Sequence, residues 1–340
     1  MKAAICYEFG QPLVIEEIEI EPPQSGEITV KVAACAICHS DIHYIDGGWG
    51  GILPAVYGHE AAGVVEAVGP GVSRVRPGER VVVSLLRACG HCFFCSQGQP
   101  HLCEGSFALD RDSRLHTKSG QPLHQGMHTA AFAEYVVVDQ SQVVPLPAEM
   151  PFDSASLLAC GVITGWGAVT NTAQVPAGSS VVVIGTGGVG LNSIQGAALS
   201  GAYPVIAVDL VDSKLAAAHT FGASHTLNPA ITEPVSAIKA LTQGRGADYV
   251  FVTVGSARAI EQGLDFLRRG GTLVIVGMPV SGATSQFEGG NLAGDSQRIL
   301  GSKMGSTRLP VDVPRLVSLY QAGRLKLDEL ITRRYPLTEI

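Results

Sequence analysis

Two groups of cysteine and histidine residues in the first half of the sequence have the side chains and the spacing of metal ligands. The first group is Cys38 and His59, for which Cys160 is the best-placed third member. Thiolate and imidazole are ligands that Zn²⁺ prefers, and three protein ligands leave a coordination position for water or substrate. A buried cysteine and a histidine that only satisfies local hydrogen bonds are the alternative interpretation. We expect a catalytic zinc site here.

The second group lies in a single loop with the spacing C-x2-C-x2-C-x7-C. Its members are Cys89, Cys92, Cys95 and Cys103. Four thiolates from one loop can surround a Zn²⁺ ion tetrahedrally and leave no open position, which is typical of a structural site. Two disulfides are the alternative, and reducing compartments disfavour them. We therefore expect a structural zinc ion, and two zinc ions per chain in all.

Composition excludes several classes of protein. The 340 residues are 46% hydrophobic and 16% charged, so the chain is not disordered and is long enough for two domains. The net charge is −7 and no run of Lys or Arg occurs, so nucleic acid is not an expected partner. No uninterrupted apolar stretch of about 18 residues predicts a membrane span. The N-terminus lacks the apolar core of a signal peptide, which predicts a cytoplasmic protein.

The pattern of predicted secondary structure changes near residue 160. Up to about residue 150, short β segments alternate with Pro and Gly turns, which predicts a β-rich, barrel-like domain. From residue 180 onwards, strands alternate with helices, which predicts a doubly wound parallel sheet whose sixth strand is Arg298–Met304.

A dinucleotide-binding pattern begins this second part. The motif Gly185-Thr-Gly187-Gly188-Val189-Gly190 follows the short apolar strand 181–184 and precedes a helix. After the next strand stands Asp209, an acidic residue at about the expected distance. Glycines let the backbone approach a pyrophosphate, and a carboxylate can hydrogen-bond a ribose diol and repel a 2′-phosphate. A purely structural glycine turn is the alternative, and we expect NAD.

Two zinc signatures followed by a dinucleotide fold make the sequence resemble the zinc-dependent medium-chain alcohol dehydrogenases from Met1 to Ile340. The resemblance implies a GroES-like catalytic domain over 1–161 with a zinc lobe at about 87–105. It also implies a Rossmann NAD-binding domain over 162–304 and a return segment over 305–340. In relatives a closing helix and strand follow the segment that ends here with Ile340, so the return segment is expected to be truncated.

The resemblance also assigns roles to individual residues. It implies that Cys38, His59 and Cys160 bind the catalytic zinc, that Asp41 orients His59, and that Glu60 lies behind the metal. It implies that Ser40 accepts the alcohol proton and that His43 passes it to solvent. The coenzyme-binding residues that it implies are His39, Thr164, Gly185, Gly187, Gly188, Val189, Gly190, Asp209, Lys214 and Val254.

The expected activity is hydride transfer between NAD and a primary or secondary alcohol, giving an aldehyde or a ketone. Trp49 and Leu85 predict an apolar substrate pocket. The resemblance implies a homodimer or homotetramer. A zinc- and nucleotide-binding protein without catalysis, and a related polyol or formaldehyde dehydrogenase, are the alternatives.

Overall fold

A computed structural model describes residues 1–340, which form two compact units. One unit comprises Met1–Cys160 and Arg308–Ile340, and the other comprises Gly161–Thr307. The limits expected from the sequence, 161 and 304, differ from these by one and three residues.

The first unit is built from two five-stranded sheets. Its strands are β1 (Lys2–Cys6), β2 (Val14–Ile20), β3 (Glu27–Ala36), β4 (Ala55–Val56), β5 (Glu60–Val68), β6 (Arg80–Val83), β7 (Leu115–Thr117), β8 (His124–Gln125), β9 (Tyr135–Asp139) and β10 (Val143–Pro145). The sheet orders are β7-β2-β1-β4-β8 and β10-β6-β5-β3-β9. Short helices connect them: α1 (His39–Ile45), α2 (Phe93–Ser96) and α3 (Phe152–Ser156).

Each sheet of this unit has its own apolar core. One core includes Ile5, Ile18 and Leu123, and the other includes Ile28, Val30 and Val136, all at most 2% exposed. The site residues stand on the segments that leave these sheets, at the end of β3 and the start of β5.

The second unit is the predicted doubly wound sheet. Its strands are β11 (Val181–Ile184), β12 (Val205–Val208), β13 (His225–Leu227), β14 (Ala247–Val252), β15 (Leu267–Ile275) and β16 (Arg298–Gly301). Its helices are α4 (Gly161–Gly167), α5 (Gly188–Leu199), α6 (Asp212–Thr220), α7 (Pro234–Leu241), α8 (Ala257–Asp265) and α9 (Gly289–Gly294). All pairs are parallel, in the order β13-β12-β11-β14-β15-β16. This is the order of the Rossmann fold.

The sixth strand is shorter than the sequence-based expectation. The sixth strand ends at Gly301 instead of Met304, because Met304, Gly305 and Ser306 have positive φ angles of 49°, 62° and 49°. Such a run cannot continue a strand. The last helix, α10, comprises Leu309–Gln321. Pro310 stands in its first turn, where the missing N–H has no partner to lose.

No single helix has the length and apolar composition of a membrane span. The consecutive helical segments Phe152–Ala159 and Gly161–Thr172 reach that composition only when taken together. Most of their residues are buried, as in the core helices of globular domains.

Candidate metal centre and coenzyme site

The carboxylate of Asp41 positions two of the predicted zinc ligands. Cys38 stands immediately before α1, and its backbone N–H donates to Asp41 Oδ2 at 3.0 Å. Asp41 Oδ1 lies 3.0 Å from the backbone nitrogen of Gly58 and 3.0 Å from Nδ1 of His59. Both Asp41 and His59 are 0% exposed. One buried carboxylate therefore connects α1 to the segment that carries His59.

The second nitrogen of His59 is available for a metal. With Nδ1 donating to Asp41, Nε2 is buried and makes no hydrogen bond. A buried polar atom without a partner is costly unless something else satisfies it. The ligand atoms of Cys38, His59, Glu60 and Cys160 all lie within 4.8 Å of one another. A carboxylate on the far nitrogen is the usual support of a metal-binding histidine, so this donor set fits zinc.

The charges at this cluster also suit a metal ion. A hydrogen bond with the Cys160 thiol lowers the pKa of Cys38 to about 3; burial opposes the shift and His59 adds to it. Burial acts to lower the pKa of His59, but Asp41 and the Cys38 thiolate outweigh it and raise that pKa well above its ordinary value. The lowered pKa favours the thiolate form of Cys38, which is the form that binds zinc, and zinc binding requires His59 to present an unprotonated Nε2.

Cys160 enters the cluster from a different part of the first unit. It follows the short 3₁₀ turn Leu157–Ala159 and is 6% exposed. The hydroxyl of Ser84 donates to the carbonyl of Ala159 at 2.6 Å and so fixes the backbone just before Cys160. Ser84 follows β6, hence the second sheet positions all the members of the cluster.

The four-cysteine loop forms a second, closed cluster. Its four sulfur atoms lie within 4.8 Å of one another, and none of the eight cysteines of the chain forms a disulfide. The Sγ atoms of Cys92 and Cys103 are 3.9 Å apart, about twice the length of a disulfide bond, so the disulfide alternative is wrong.

Backbone N–H groups are directed at these sulfur atoms. Cys89 and Gly105 donate to Cys103 Sγ at 3.3 Å, and Cys92 donates to Cys89 Sγ at 3.3 Å. Backbone hydrogen bonds from the Cys95 and Glu104 positions lower the pKa of Cys92 to about 6. Donors of this kind favour thiolates, and the number and type of the ligands fit a structural zinc.

The two residues predicted to move protons, Ser40 and His43, share helix α1 with His39, which is predicted to bind the coenzyme. All three lie within the first five residues of the helix. The His43 ring stacks on Trp49 with centroids 4.8 Å apart, and the His39 ring meets His43 edge-on at 4.8 Å. Ser40 and His43 make no hydrogen bond with each other, so a group between them has to complete any relay.

The glycine turn of the second unit has the form that a dinucleotide needs. Gly185 has φ +91°, and a Cβ on Gly190 would lie 1.8 Å from the Gly185 carbonyl oxygen. Gly187 and Gly188 are exposed and face open space. Helix α5 begins here without a side-chain cap, so its first N–H groups are free to bind a phosphate. Val189 lies within this first turn.

The other predicted coenzyme residues, apart from His39, lie in the same unit. Asp209 follows β12 and Val254 follows β14, so both stand at the carboxyl edge of the sheet, as the glycine turn does. Lys214, on α6, helps to lower the pKa of Asp209, against burial and together with hydrogen bonds from Thr186 and Val211. Thr164 is 8% exposed on α4, and its hydroxyl contacts Met304 Sδ at 3.6 Å.

A cavity of about 690 Å³ occupies the opposite, amino edge of this sheet. Ser180, Asp248 and Arg268 line it, and Asp248 is already bonded to both of the others. Ligands of open parallel sheets bind at the carboxyl edge, so this cavity is not the dinucleotide site.

Comparisons with known proteins agree with this architecture. Residues 24–148 match the alcohol dehydrogenase GroES-like domain, and residues 188–322 match the zinc-binding dehydrogenase family. The NDMA-dependent alcohol dehydrogenase of Amycolatopsis methanolica is 39% identical over 100% of this chain and 93% of its own length.

Two solved structures show the same similarity. The benzyl alcohol dehydrogenase of Acinetobacter calcoaceticus superposes with a TM-score of 0.93 at 34% identity, over 99% of this chain and 93% of that one. A zinc-binding dehydrogenase from Sinorhizobium meliloti 1021, solved bound to NADP, has a TM-score of 0.84 at 28% identity, over 99% and 93%.

A GroES-like unit combined with a Rossmann unit defines a class of zinc- and nucleotide-dependent oxidoreductases. The chain belongs to the zinc-dependent medium-chain dehydrogenases within that class.

Three residues with structural roles at these sites escaped the sequence-based prediction. Ser84 fixes the backbone before Cys160, and Thr186 donates twice to Asp209. A Cβ on Gly105 would lie 2.7 Å from Cys89 Cβ, so the zinc loop requires glycine there. Of the three, only Gly105 could have been suspected from the sequence, because it lies two residues after the zinc-loop residue Cys103.

We expect the purified chain to contain two zinc ions, of which a chelator removes one first, since an open site exchanges metal more readily than a closed thiolate cage. Cys160→Ala should retain only the slowly removed ion, and Cys103→Ala only the other. Metal analysis before and after chelation measures both. Cys6→Ala, which alters a buried thiol outside both clusters, is the matched control and should retain two. A parent protein with fewer than two ions contradicts the assignment.

Proposed function

We propose that this protein is a zinc-dependent alcohol dehydrogenase that transfers a hydride between a primary or secondary alcohol and NAD, giving an aldehyde or a ketone. The observation that carries the proposal is the buried Nε2 of His59, which has no hydrogen-bond partner and lies among two thiol groups and a carboxyl group. Relatives named as alcohol dehydrogenases, similar over the whole chain, support it.

The chemistry divides between the metal and the residues of α1. Cys38, His59 and Cys160 would hold a zinc ion, which would supply a Lewis acid that lowers the pKa of an alcohol. Ser40 would accept the hydroxyl proton, and His43 would pass it on towards solvent. The alcohol would lose one proton by this route and one hydride to the nicotinamide. The carboxyl group of Glu60 lies within 4.8 Å of the three ligand atoms and would add negative charge beside the ion.

Aromatic side chains beside α1 favour substrates with an apolar body. Trp49 stacks on His43 and also meets Tyr44 edge-on at 5.2 Å, so a rigid aromatic surface adjoins the predicted relay. Apolar pockets with few polar groups select by shape and hydrophobicity. Together with Leu85, this surface favours hydrophobic alcohols over polyols.

NAD is the proposed coenzyme because Asp209 follows the second strand of the dinucleotide-binding pattern, where an acidic residue can hydrogen-bond the ribose. Its carboxylate repels the 2′-phosphate of NADP. His39 and Thr164 belong to the same proposal as contacts of the coenzyme, by resemblance to the family. A homodimer or homotetramer is proposed on the same ground, and a cytoplasmic location is proposed as well.

The similarity to an NDMA-dependent enzyme favours a second form of the activity. In that form, alcohol oxidation depends on NDMA, as the name of this relative states.

A panel of alcohols assayed with NAD alone, and again with NDMA added, tests the proposal. We expect hydrophobic primary and secondary alcohols to be oxidised, and NADH to appear in the first assay. Product formation only with NDMA would favour the second form. The zinc-loaded protein failing to oxidise any alcohol in either assay would favour the alternative of a binding protein without catalysis.

His43→Ala should slow alcohol oxidation most at low pH, where hydroxide is too scarce to replace the relay. General base catalysis contributes about 10²–10⁴-fold, which bounds the expected loss. The pH profile of kcat, compared with that of the parent, measures it. His225→Ala, which removes a histidine of the second unit, is the matched control. If His43→Ala has a profile parallel to that of the parent, His43 is not part of the mechanism.

A further inference from the structure

Thr186, the residue between the first two glycines of the turn, makes two hydrogen bonds to the same carboxylate oxygen. Its backbone nitrogen lies 2.8 Å from Asp209 Oδ2, and its hydroxyl oxygen lies 3.0 Å from that atom. Thr186 is 2% exposed, so water does not replace these bonds easily. The backbone nitrogen of Val211 donates to the other oxygen, Oδ1, at 3.0 Å.

These bonds occupy most of the acceptor capacity of the carboxylate. An ionised carboxylate has about four lone-pair sites, two on each oxygen. Thr186 uses both sites on Oδ2, and Val211 uses one on Oδ1. One site, on Oδ1, remains for a ligand. The threonine hydroxyl therefore determines which oxygen of Asp209 is available and prevents the carboxylate from rotating.

The same bonds affect the charge of Asp209. Burial raises the pKa of this carboxyl, but hydrogen bonds from Thr186 and Val211 and the charge of Lys214 more than offset that and lower it below its ordinary value. The lowered pKa favours the ionised form of the group, as expected of an aspartate at neutral pH. Its repulsion of a 2′-phosphate is thus maintained under ordinary conditions.

We propose that Thr186 is a positioning residue for coenzyme choice: its hydroxyl holds the Asp209 carboxylate so that one oxygen stays open to a ribose hydroxyl, and it thereby sets the preference for NAD over NADP. The inference rests on the proposed function, since it needs NAD as the coenzyme. The competing explanation is that Thr186 only shapes the turn. In that case its backbone N–H bond to Asp209 is sufficient, and the hydroxyl has no effect on coenzyme preference.

Thr186→Val separates these explanations, since valine keeps the backbone donor and the volume but replaces the hydroxyl with a methyl group. Fluorescence titration of the zinc-loaded full chain with NADH and with NADPH gives a Kd for each. A hydrogen bond to a charged group contributes enough for about a tenfold change in Kd. We expect Thr186→Val to bind NADH about tenfold more weakly, with NADPH unchanged or tighter, so that the ratio of the two Kd values narrows.

Three further variants complete the experiment. Thr186→Ser keeps the hydroxyl and should retain the parental ratio. Asp209→Gly removes the carboxylate itself and should narrow the ratio at least as much as Thr186→Val. Thr186→Ala is a second variant without the hydroxyl, and Tm values confirm which variants are folded. The readout is the ratio of the Kd values for NADH and NADPH. A loss of stability alone affects both Kd values alike and does not change this ratio.

Two outcomes would overturn the inference while leaving the coenzyme assignment intact. In one, Thr186→Val and Thr186→Ala keep the parental ratio although Asp209→Gly narrows it. In the other, they bind NADH more tightly than the parent, which would mean that the hydroxyl competes with the ribose. A parent that binds NADPH at least as tightly as NADH overturns both the proposed coenzyme and the inference, and titration of the parent alone reveals that case.

Discussion

The hydrogen bond between Asp41 and His59 is the interaction on which the metal centre depends. Its 3.0 Å contact fixes the imidazole and leaves Nε2 as the nitrogen that faces Cys38 and Cys160. The same carboxylate accepts from the backbone of Cys38 and Gly58, so it also sets the start of α1. A buried charge is tolerated only when it is paired and hydrogen-bonded, and Asp41 meets both conditions.

In the coenzyme unit, too, a carboxylate is held in place by hydrogen bonds from neighbouring residues. A half-buried carboxylate, Asp209, accepts hydrogen bonds from donors that favour its charged form and hold its orientation. Around it, glycines allow the backbone to approach a ligand, and the uncapped end of α5 supplies donors for phosphate. Each unit thus contains one carboxylate, Asp41 or Asp209, that has three of its about four acceptor sites occupied by hydrogen bonds from neighbouring residues.

Much of this architecture was predictable because its signals are local in the sequence. The cysteine spacing from Cys89 to Cys103, and the strand, glycine turn and helix from residue 181 onwards, each lie within one segment, and the fold matches both. The roles of Ser84 and Thr186 were not predictable, since each depends on a partner more than 20 residues away, Ala159 or Asp209. The end of β16 was misplaced because three residues with positive φ follow it, and of these only Gly305 favours that conformation by its residue type.

Anomalous scattering at the zinc edge, from crystals of the zinc-loaded protein, tests the central claim most directly. The account predicts a peak about 2.0–2.1 Å from Nε2 of His59 and about 2.3 Å from the sulfur atoms of Cys38 and Cys160. A second peak belongs among the four cysteines of the loop. The absence of a peak beside His59, in crystals where the loop binds zinc, would contradict the claim that Asp41 orients this histidine for a metal.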